Sequence, residues 1–352
     1  MSRQAPRLSA VKRCAVAAGE MAFVRWGQLF PDNELPALCE PAAADIDLPQ
    51  WAGAYRADIE QRLLRHGAIL FRGFSGVDVG TFDVCMTAIS GGALEYRFRA
   101  SPRTQVQEGL NVYTSTDYPA DEQIFPHNEH SYSPVFPRHL YLYCETPARS
   151  GGETPLGDTR ALLQRIRPDV KEAFLRKKIL YVRNYGDGMG LPWRTVFQTD
   201  DRQAVEAYCE SVGIEVEWKS GDRLRTRQTG PAIVRHPESK QTVWFNHATF
   251  FNEWTLPARL RDPLRSEFSA EELPQNTFFG DGSPIGQETI AHLQQAYRAG
   301  MLQFTWQKGD VLLLDNILTM HARNSFVGPR RILTGMALAC RNVDLEVAAG
   351  VE

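Results

Sequence analysis

The sequence lacks the cysteine patterns of a disulfide scaffold or of a cysteine-based metal site. Its 352 residues include six widely spaced cysteines, and no two of them form a CxxC pair. Disulfide frameworks are typical of short secreted domains, whereas isolated cysteines suit a chain in a reducing compartment. We therefore expect a cytoplasmic protein.

Long apolar runs and a strong charge of one sign are also missing. No segment approaches the roughly 18 consecutive apolar residues that a membrane helix needs. The apolar run Cys14–Ala18 ends at Gly19 and Glu20, which makes it too short for a signal peptide. The net charge is −3 and the basic residues are scattered, whereas a nucleic-acid partner requires a basic face. Neither a membrane nor a nucleic acid is an expected partner.

The composition is that of an ordinary globular protein. Hydrophobic residues make up 43% of the chain and charged residues 23%, so a large core is feasible. No internal repeat or low-complexity linker divides the sequence. The simplest prediction is an N-terminal arm over residues 1–50, followed by a single domain over residues 51–352.

Short apolar segments dominate the second half of the chain and predict strands. Strands are predicted at 139–144, 178–183, 232–235, 242–246, 311–315 and 332–339, with an earlier one in AILFRGF after Gly67. Helices are predicted at 53–65, 160–175, 202–211 and 287–298. This pattern favours a mainly β fold with helical insertions, a sandwich or jelly roll, although periodicity alone does not separate it from a mixed open sheet.

The segment IFPHNEHSYSP contains a candidate pair of metal ligands. His127 and Glu129 are two residues apart, so on extended backbone their side chains point to the same side. An imidazole and a carboxylate together suit a divalent transition metal.

Two further segments complete a plausible site. In GDVLLLDNILTMHARNSFVGPRR, a buried strand is predicted to end at Asp315–Asn316, with His321 in the following loop and then Arg330–Arg331. In SGGETP, two glycines precede Thr154. Two histidines and one carboxylate on one face of an iron leave room for a 2-oxo acid and O2. An arginine fork, helped by a hydroxyl, suits the distal carboxylate of such an acid.

In these segments the sequence resembles the TauD/TfdA family of non-haem iron dioxygenases, and most closely the amino-acid-oxidising branch typified by SyrP and AsnO. The matching stretches include NVYTSTDYPADEQIFPHNEHSYS, SGGETPLGD and GDVLLLDNILTMHARNSFVGPRRILTGMA, and the resemblance runs from about residue 67 to residue 340. It implies a double-stranded β-helix core of the jelly-roll, cupin-like type.

The resemblance also implies the cofactors and the residues that hold them. Fe(II) would be bound by His127, Glu129 and His321, and 2-oxoglutarate and O2 would be the co-substrates. Arg331 would bind the distal carboxylate of 2-oxoglutarate beside Thr154, with Arg330 as the alternative if the register differs by one residue.

For the substrate, the resemblance implies an amino acid or an amino-acid-derived molecule, either free or tethered to a carrier protein, that is hydroxylated in natural-product biosynthesis. Glu129 argues against halogenation, because halogenating relatives carry Gly or Ala there. Gly335, four residues after Arg331, stands where taurine enzymes carry a sulfonate-binding arginine, so taurine is not the expected substrate. The candidate substrate contacts are Gln123, Asn111, Thr114, Ser115, Arg103 and Asn246.

Several alternatives stay open at this stage. The same cofactors can also support desaturation, cyclisation or epoxidation. A His/Glu/His set can form a zinc hydrolase site, which leaves Thr154 and the arginine pair unexplained. A non-catalytic sandwich that binds metal and 2-oxoglutarate is a third possibility, and an oligomer is possible in each case.

Overall fold

A computed structural model of the protein describes residues 23–94, 104–107, 109–115, 118–186 and 191–348. The strands of this part of the chain are β1 (Val24–Phe30), β2 (Asn33–Pro41), β3 (Ala68–Phe71), β4 (Tyr113–Thr114), β5 (Ile124–His127), β6 (Val135–Thr146), β7 (Ser150–Gly151), β8 (Leu156–Asp158), β9 (Ile179–Tyr185), β10 (Glu215–Lys219), β11 (Arg223–Gly230), β12 (Ile233–Arg235), β13 (Thr242–Trp244), β14 (Gln275–Phe279), β15 (Val311–Asp315), β16 (Thr319–Arg323), β17 (Phe326–Val327), β18 (Arg331–Arg341) and β19 (Glu346–Val347).

The α-helices of the same residues surround these strands and fill the connections between them. They are α1 (Leu48–Ala54), α2 (Arg56–His66), α3 (Val79–Ser90), α4 (Thr159–Arg165), α5 (Pro168–Lys177), α6 (Trp193–Phe197), α7 (Arg202–Ser211), α8 (Ala248–Phe251), α9 (Ala258–Glu267) and α10 (Gln287–Arg298). None of the helices in the described ranges is long and apolar enough to cross a membrane.

The main sheet has seven strands in the order β1-β2-β3-β15-β6-β18-β4. Its neighbours are antiparallel except for β2 and β3, which run parallel. β15 lies between β3 and β6 and is buried along its whole length, as the apolar sequence VLLLD predicts. One face of this sheet is covered by α1, α2 and α3, through a core that includes Trp51, Ile59 and Phe82.

A smaller sheet, in the order β5-β16-β8, faces the other side of the main sheet. Leu140 and Leu142 of β6 share a core with Leu156 of β8, which joins the two sheets. The predicted mainly β fold with helical insertions and a jelly-roll core is therefore confirmed. A further four-stranded sheet, β10-β11-β9-β14, belongs to the long insertion between β8 and β15.

Residues assigned to an N-terminal arm are part of the main sheet. β1 and β2 pair with each other, and β2 continues the sheet along β3. The boundary at residue 50 therefore does not separate two structural units within the described residues.

The predicted helix over residues 160–175 is two helices. α4 ends before Arg167, whose backbone is extended, and α5 begins at Pro168. A proline disfavours helical backbone in the residue before it, which explains the break. The helices predicted at 202–211 and 287–298 have the predicted bounds, and Asp201 caps the first of them through a bond from the Gln203 amide.

Gly335 of β18 is required by close packing against α3. A Cβ atom at this position would lie 2.0 Å from Met86 Sδ, and Met86 is fully buried. Gly335→Ala is therefore expected to lower the free energy of unfolding by about 1–3 kcal/mol, the usual cost of overpacking. Urea denaturation measures this, with Gly53→Ala in α1 as the control, since its Cβ would meet nothing closer than 3.5 Å.

Candidate metal centre

The three predicted ligands meet where β5 and β16 pair. His127 and His321 are direct partners across these antiparallel strands, and their ring centroids are 4.4 Å apart. Glu129 Oε2 lies 4.0 Å from His127 Nε2 and 3.9 Å from His321 Nε2. The sequence predicted a loop at His321, but the residue lies within β16, and the strand holds it opposite His127.

The surroundings fit these side chains to a divalent metal. His127 Nδ1 lies 2.9 Å from the Phe125 carbonyl oxygen, so Nδ1 donates and Nε2 presents its lone pair toward Glu129. The carboxylate of Glu129 is buried, and its second oxygen lies 3.2 Å from His130 Nε2. One donor atom from each of His127, Glu129 and His321 falls within 4.8 Å of the others. Two imidazoles and a carboxylate are the donor set of the Fe(II) oxygenase facial triad.

A cavity between the two sheets opens beside these ligands. The main sheet contributes its β6 and β18 walls, and the smaller sheet contributes β5 and β16. Its lining residues are Ser115, Ile124, His127, Glu129, Leu140, Leu142, Thr154, His321, Ala322, Arg323, Arg330, Ile332 and Thr334.

The two adjacent arginines point to different places. Arg330 lines the cavity, and its Nε donates a 2.9 Å bond to the Gly152 carbonyl oxygen. Arg331 is exposed and forms a 2.6 Å ion pair with Glu145. Alternation along a strand explains the difference, because successive side chains point to opposite faces. The geometry therefore favours Arg330, the second choice from the sequence, over Arg331.

Arg330 is a half-buried cation that lines the cavity. Burial, together with the neighbouring Arg323 guanidinium, lowers the pKa of Arg330 to about 10, which still leaves it charged at neutral pH. Among the described residues, no carboxylate forms an ion pair with Arg330. Removing a guanidinium from water is costly, and a bound carboxylate ligand relieves that cost.

The glycine-rich segment before Thr154 makes room for this arginine. Gly152 has a φ of 73°, and a Cβ there would lie 2.9 Å from Arg330 Cδ. Thr154 is buried, and its Oγ1 accepts a 3.0 Å bond from Trp306 Nε1. Its hydroxyl hydrogen can therefore be donated into the cavity.

The candidate substrate contacts are mostly not brought together. Ser115 lines the cavity, and Gln123 is exposed outside it. Asn111 donates to the Ala93 carbonyl, and Thr114 accepts a bond from the Thr104 amide. Asn246 is held by Ala232 and Ala248 in a local turn. Arg103 lies outside the described residues.

Two polar cavity residues were missed from the sequence, and period-two alternation could have found both. Arg323 is two residues after His321 on β16, and Thr334 is four residues after Arg330 on β18. The Arg323 guanidinium donates to the Tyr118, Pro119 and Glu122 carbonyls. Thr334 is buried, and its hydroxyl has no hydrogen-bond partner among the described residues.

Comparison with known proteins identifies the family of this chain. Residues 32–337 match the model of the "Taurine catabolism dioxygenase TauD, TfdA family". The dapdiamide synthesis protein DdaC of Enterobacter agglomerans is 36% identical over 78% of this chain and 83% of its own. A clavaminate synthase-like protein of Arabidopsis thaliana is 27% identical over 87% of this chain and 94% of its own.

Solved structures share the fold of this chain. A structure of PvcB aligns with a TM-score of 0.54 at 16% identity and covers 97% of this chain and 100% of that one. The match to the family model spans most of the chain and includes all three metal-ligand candidates. The chain therefore belongs to the TauD/TfdA family and is, as its sequence predicted, an Fe(II)- and 2-oxoglutarate-dependent dioxygenase that uses O2.

Proposed function

We propose that this dioxygenase hydroxylates an unactivated C–H bond of an amino acid or an amino-acid-derived molecule in natural-product biosynthesis. The observation that carries the proposal is one cavity that contains both a His/Glu/His cluster and a half-buried arginine with no carboxylate ion-pair partner among the described residues. In this proposal, His127, Glu129 and His321 hold Fe(II).

Arg330 and Thr154 hold the distal carboxylate of 2-oxoglutarate. The Arg330 fork supplies charge and two parallel donors, and the Thr154 hydroxyl adds a third. The Gly152 carbonyl and the ring of Phe326, 5.6 Å from the guanidinium carbon, keep the fork in place. Arg331 has no part in this site, since its side chain is 47% exposed and paired with Glu145.

Iron, 2-oxoglutarate and O2 together supply the oxidation, in which 2-oxoglutarate loses CO2 to become succinate and the substrate carbon gains an oxygen. The protein positions the reactants and excludes water from them. Leu140, Leu142 and Ile332 line the cavity with apolar surface, which excludes water from the reacting atoms. Glu129 keeps a carboxylate at the metal and leaves no place there for a halide.

A relative and the family resemblance both support an amino-acid-derived substrate. The relative that is 36% identical is named for dapdiamide synthesis, and the resemblance to the SyrP/AsnO branch points to amino acids. Four residues after Arg330, the cavity presents Thr334 rather than a second arginine, and Gly335 faces Met86 instead. A neutral hydroxyl there suits a substrate without a sulfonate, so taurine is not proposed.

The proposal extends to partners and location. The substrate is either free or carried as a thioester on a carrier protein, and an oligomer is compatible with either form. A cytoplasmic location is supported by the cysteines that the structure describes, all of which are unpaired and four of which are buried.

Product analysis tests the reaction type. The enzyme, loaded with Fe(II) and 2-oxoglutarate, is supplied with free amino acids and with aminoacyl thioesters of a carrier protein, and succinate release is used to find the substrate. Hydroxylation predicts one atom from isotopically labelled O2 in the product and one succinate per product. Loss of two hydrogens from the substrate, with O2 consumed and succinate formed but no labelled oxygen in the product, would mean desaturation or cyclisation. Binding of 2-oxoglutarate without stimulated succinate release by any substrate would favour a non-catalytic binding protein.

A further inference from the structure

Asn316 connects the two chain segments that carry the candidate metal ligands. It belongs to the Asp-Asn pair at the end of β15, a feature of the sequence that the candidate site does not use directly. We propose that Asn316 is a positioning residue, which fixes the backbone at Glu129 relative to His321 for metal binding. This inference rests on the proposed function only in assuming that these residues bind a divalent metal.

The Asn316 side chain bonds both backbone groups of Glu129, although 187 residues separate the two positions. Its Oδ1 accepts a 2.7 Å bond from the Glu129 amide, and its Nδ2 donates a 2.8 Å bond to the Glu129 carbonyl. The second Nδ2 hydrogen goes to the Pro137 carbonyl, also at 2.8 Å. The side chain is fully buried, so these three bonds do not compete with water.

A second asparagine makes the connection reciprocal. Asn128, between the two ligands of the first segment, donates from Nδ2 to the Asn316 carbonyl at 2.6 Å and to the Thr319 carbonyl at 3.2 Å. Thr319 begins β16, the strand that carries His321. Each ligand segment therefore holds the other through a buried amide.

The neighbouring Asp315 shapes the turn but does not reach Glu129. Its Oδ1 accepts bonds from the Ile317 and Leu318 amides. Its Oδ2 accepts a 3.0 Å bond from His236 Nε2, since His236 Nδ1 accepts from the Ser239 amide. Asp315 thus stabilises the 315–318 turn, and Asn316 makes the contact with Glu129.

Glu129 needs such a contact because it lies beyond the end of β5. The strand ends at His127, so the sheet that orders His127 and His321 does not extend to Glu129. Asn316 satisfies the amide and the carbonyl of Glu129 as a neighbouring strand would. Outer groups that orient metal ligands typically change metal affinity about 10–100-fold when they are lost.

The test compares two isosteric substitutions of buried asparagines. Asn316→Asp keeps the acceptor for the Glu129 amide but places an oxygen against the Glu129 and Pro137 carbonyls. Asn276→Asp is the matched control. Asn276 is also buried and bonds Glu253, Thr277 and Ala270, none of which is a candidate metal ligand. For both variants, Mn²⁺ affinity is measured from the paramagnetic resonance of the free ion, and stability is measured by urea denaturation.

We expect both variants to lose stability, and only Asn316→Asp to bind Mn²⁺ about 10–100-fold more weakly than the wild type. Equal Mn²⁺ affinity of the two variants would overturn the inference and leave Asn316 with a purely structural role. If Asn316→Asp does not fold, Asn316→Ser and Asn276→Ser provide the same comparison without a new charge. Failure of the wild-type chain to bind Mn²⁺ would instead refute the proposed metal site itself.

Discussion

Replacement of His321 by alanine is expected to abolish iron-dependent turnover. The side chain supplies one of three donors, and the two that remain lie on one short segment, His127–Glu129. Loss of an outer-shell group alone typically weakens metal binding about 10–100-fold, so loss of a direct ligand should weaken it by at least that much. Iron content after gel filtration and succinate formation from 2-oxoglutarate measure the two effects separately.

The control for this variant is His292→Ala. His292 accepts a bond from the Arg167 amide and lies outside the cavity, so its loss should leave iron content and succinate formation near the wild-type values. Wild-type turnover in the His321→Ala variant would exclude His321 as a ligand. His127→Ala is expected to behave like His321→Ala for the same reason.

Arg330→Ala is expected to weaken 2-oxoglutarate binding strongly and to leave metal binding nearly intact. Truncating one member of a buried charge pair costs about 2–5 kcal/mol, which corresponds to a roughly 30- to 4,000-fold rise in the dissociation constant of 2-oxoglutarate. Anaerobic isothermal titration of the Mn²⁺-loaded protein with 2-oxoglutarate measures this constant without turnover.

The adjacent residue provides the matched control. Arg331→Ala removes an exposed ion pair with Glu145, and such pairs contribute about 0–1 kcal/mol to stability. Its 2-oxoglutarate affinity should therefore equal that of the wild type. The 2-oxoglutarate affinity of Arg330→Lys should lie between those of Arg330→Ala and Arg331→Ala, because lysine keeps the charge but lacks the planar fork. A large loss in Arg331→Ala with little effect in Arg330→Ala would reverse the assignment.

The sequence predicted the chemistry of the site better than its geometry. The spacing of His127 and Glu129 was enough to pair them, since an i, i+2 pair on extended backbone shares a face. His321 was expected in a loop because a polar pair, Asp315–Asn316, ends the preceding strand. Only three residues, 316–318, separate β15 from β16, and Asp315 closes this turn with side-chain bonds that no local pattern reveals.

The choice between Arg330 and Arg331 depended on where β18 begins. Either arginine matched the family spacing, and only the pairing of β18 with β6 fixes which one points inward. With Arg330 as the 2-oxoglutarate ligand, the position four residues later is Thr334 and not Gly335. The role of Asn316 could not be predicted for another reason. Its partner Glu129 is 187 residues away, and no sequence periodicity covers that distance.

The most direct test of the metal and 2-oxoglutarate site is an anaerobic titration of the metal-free protein with Fe(II) and then with 2-oxoglutarate, followed by visible absorption. Chelation of the iron by 2-oxoglutarate predicts a weak metal-to-ligand charge-transfer band that appears only after both are added. The band should require much more 2-oxoglutarate in Arg330→Ala than in Arg331→Ala. Stoichiometric iron binding with no such band at saturating 2-oxoglutarate would contradict the proposed site.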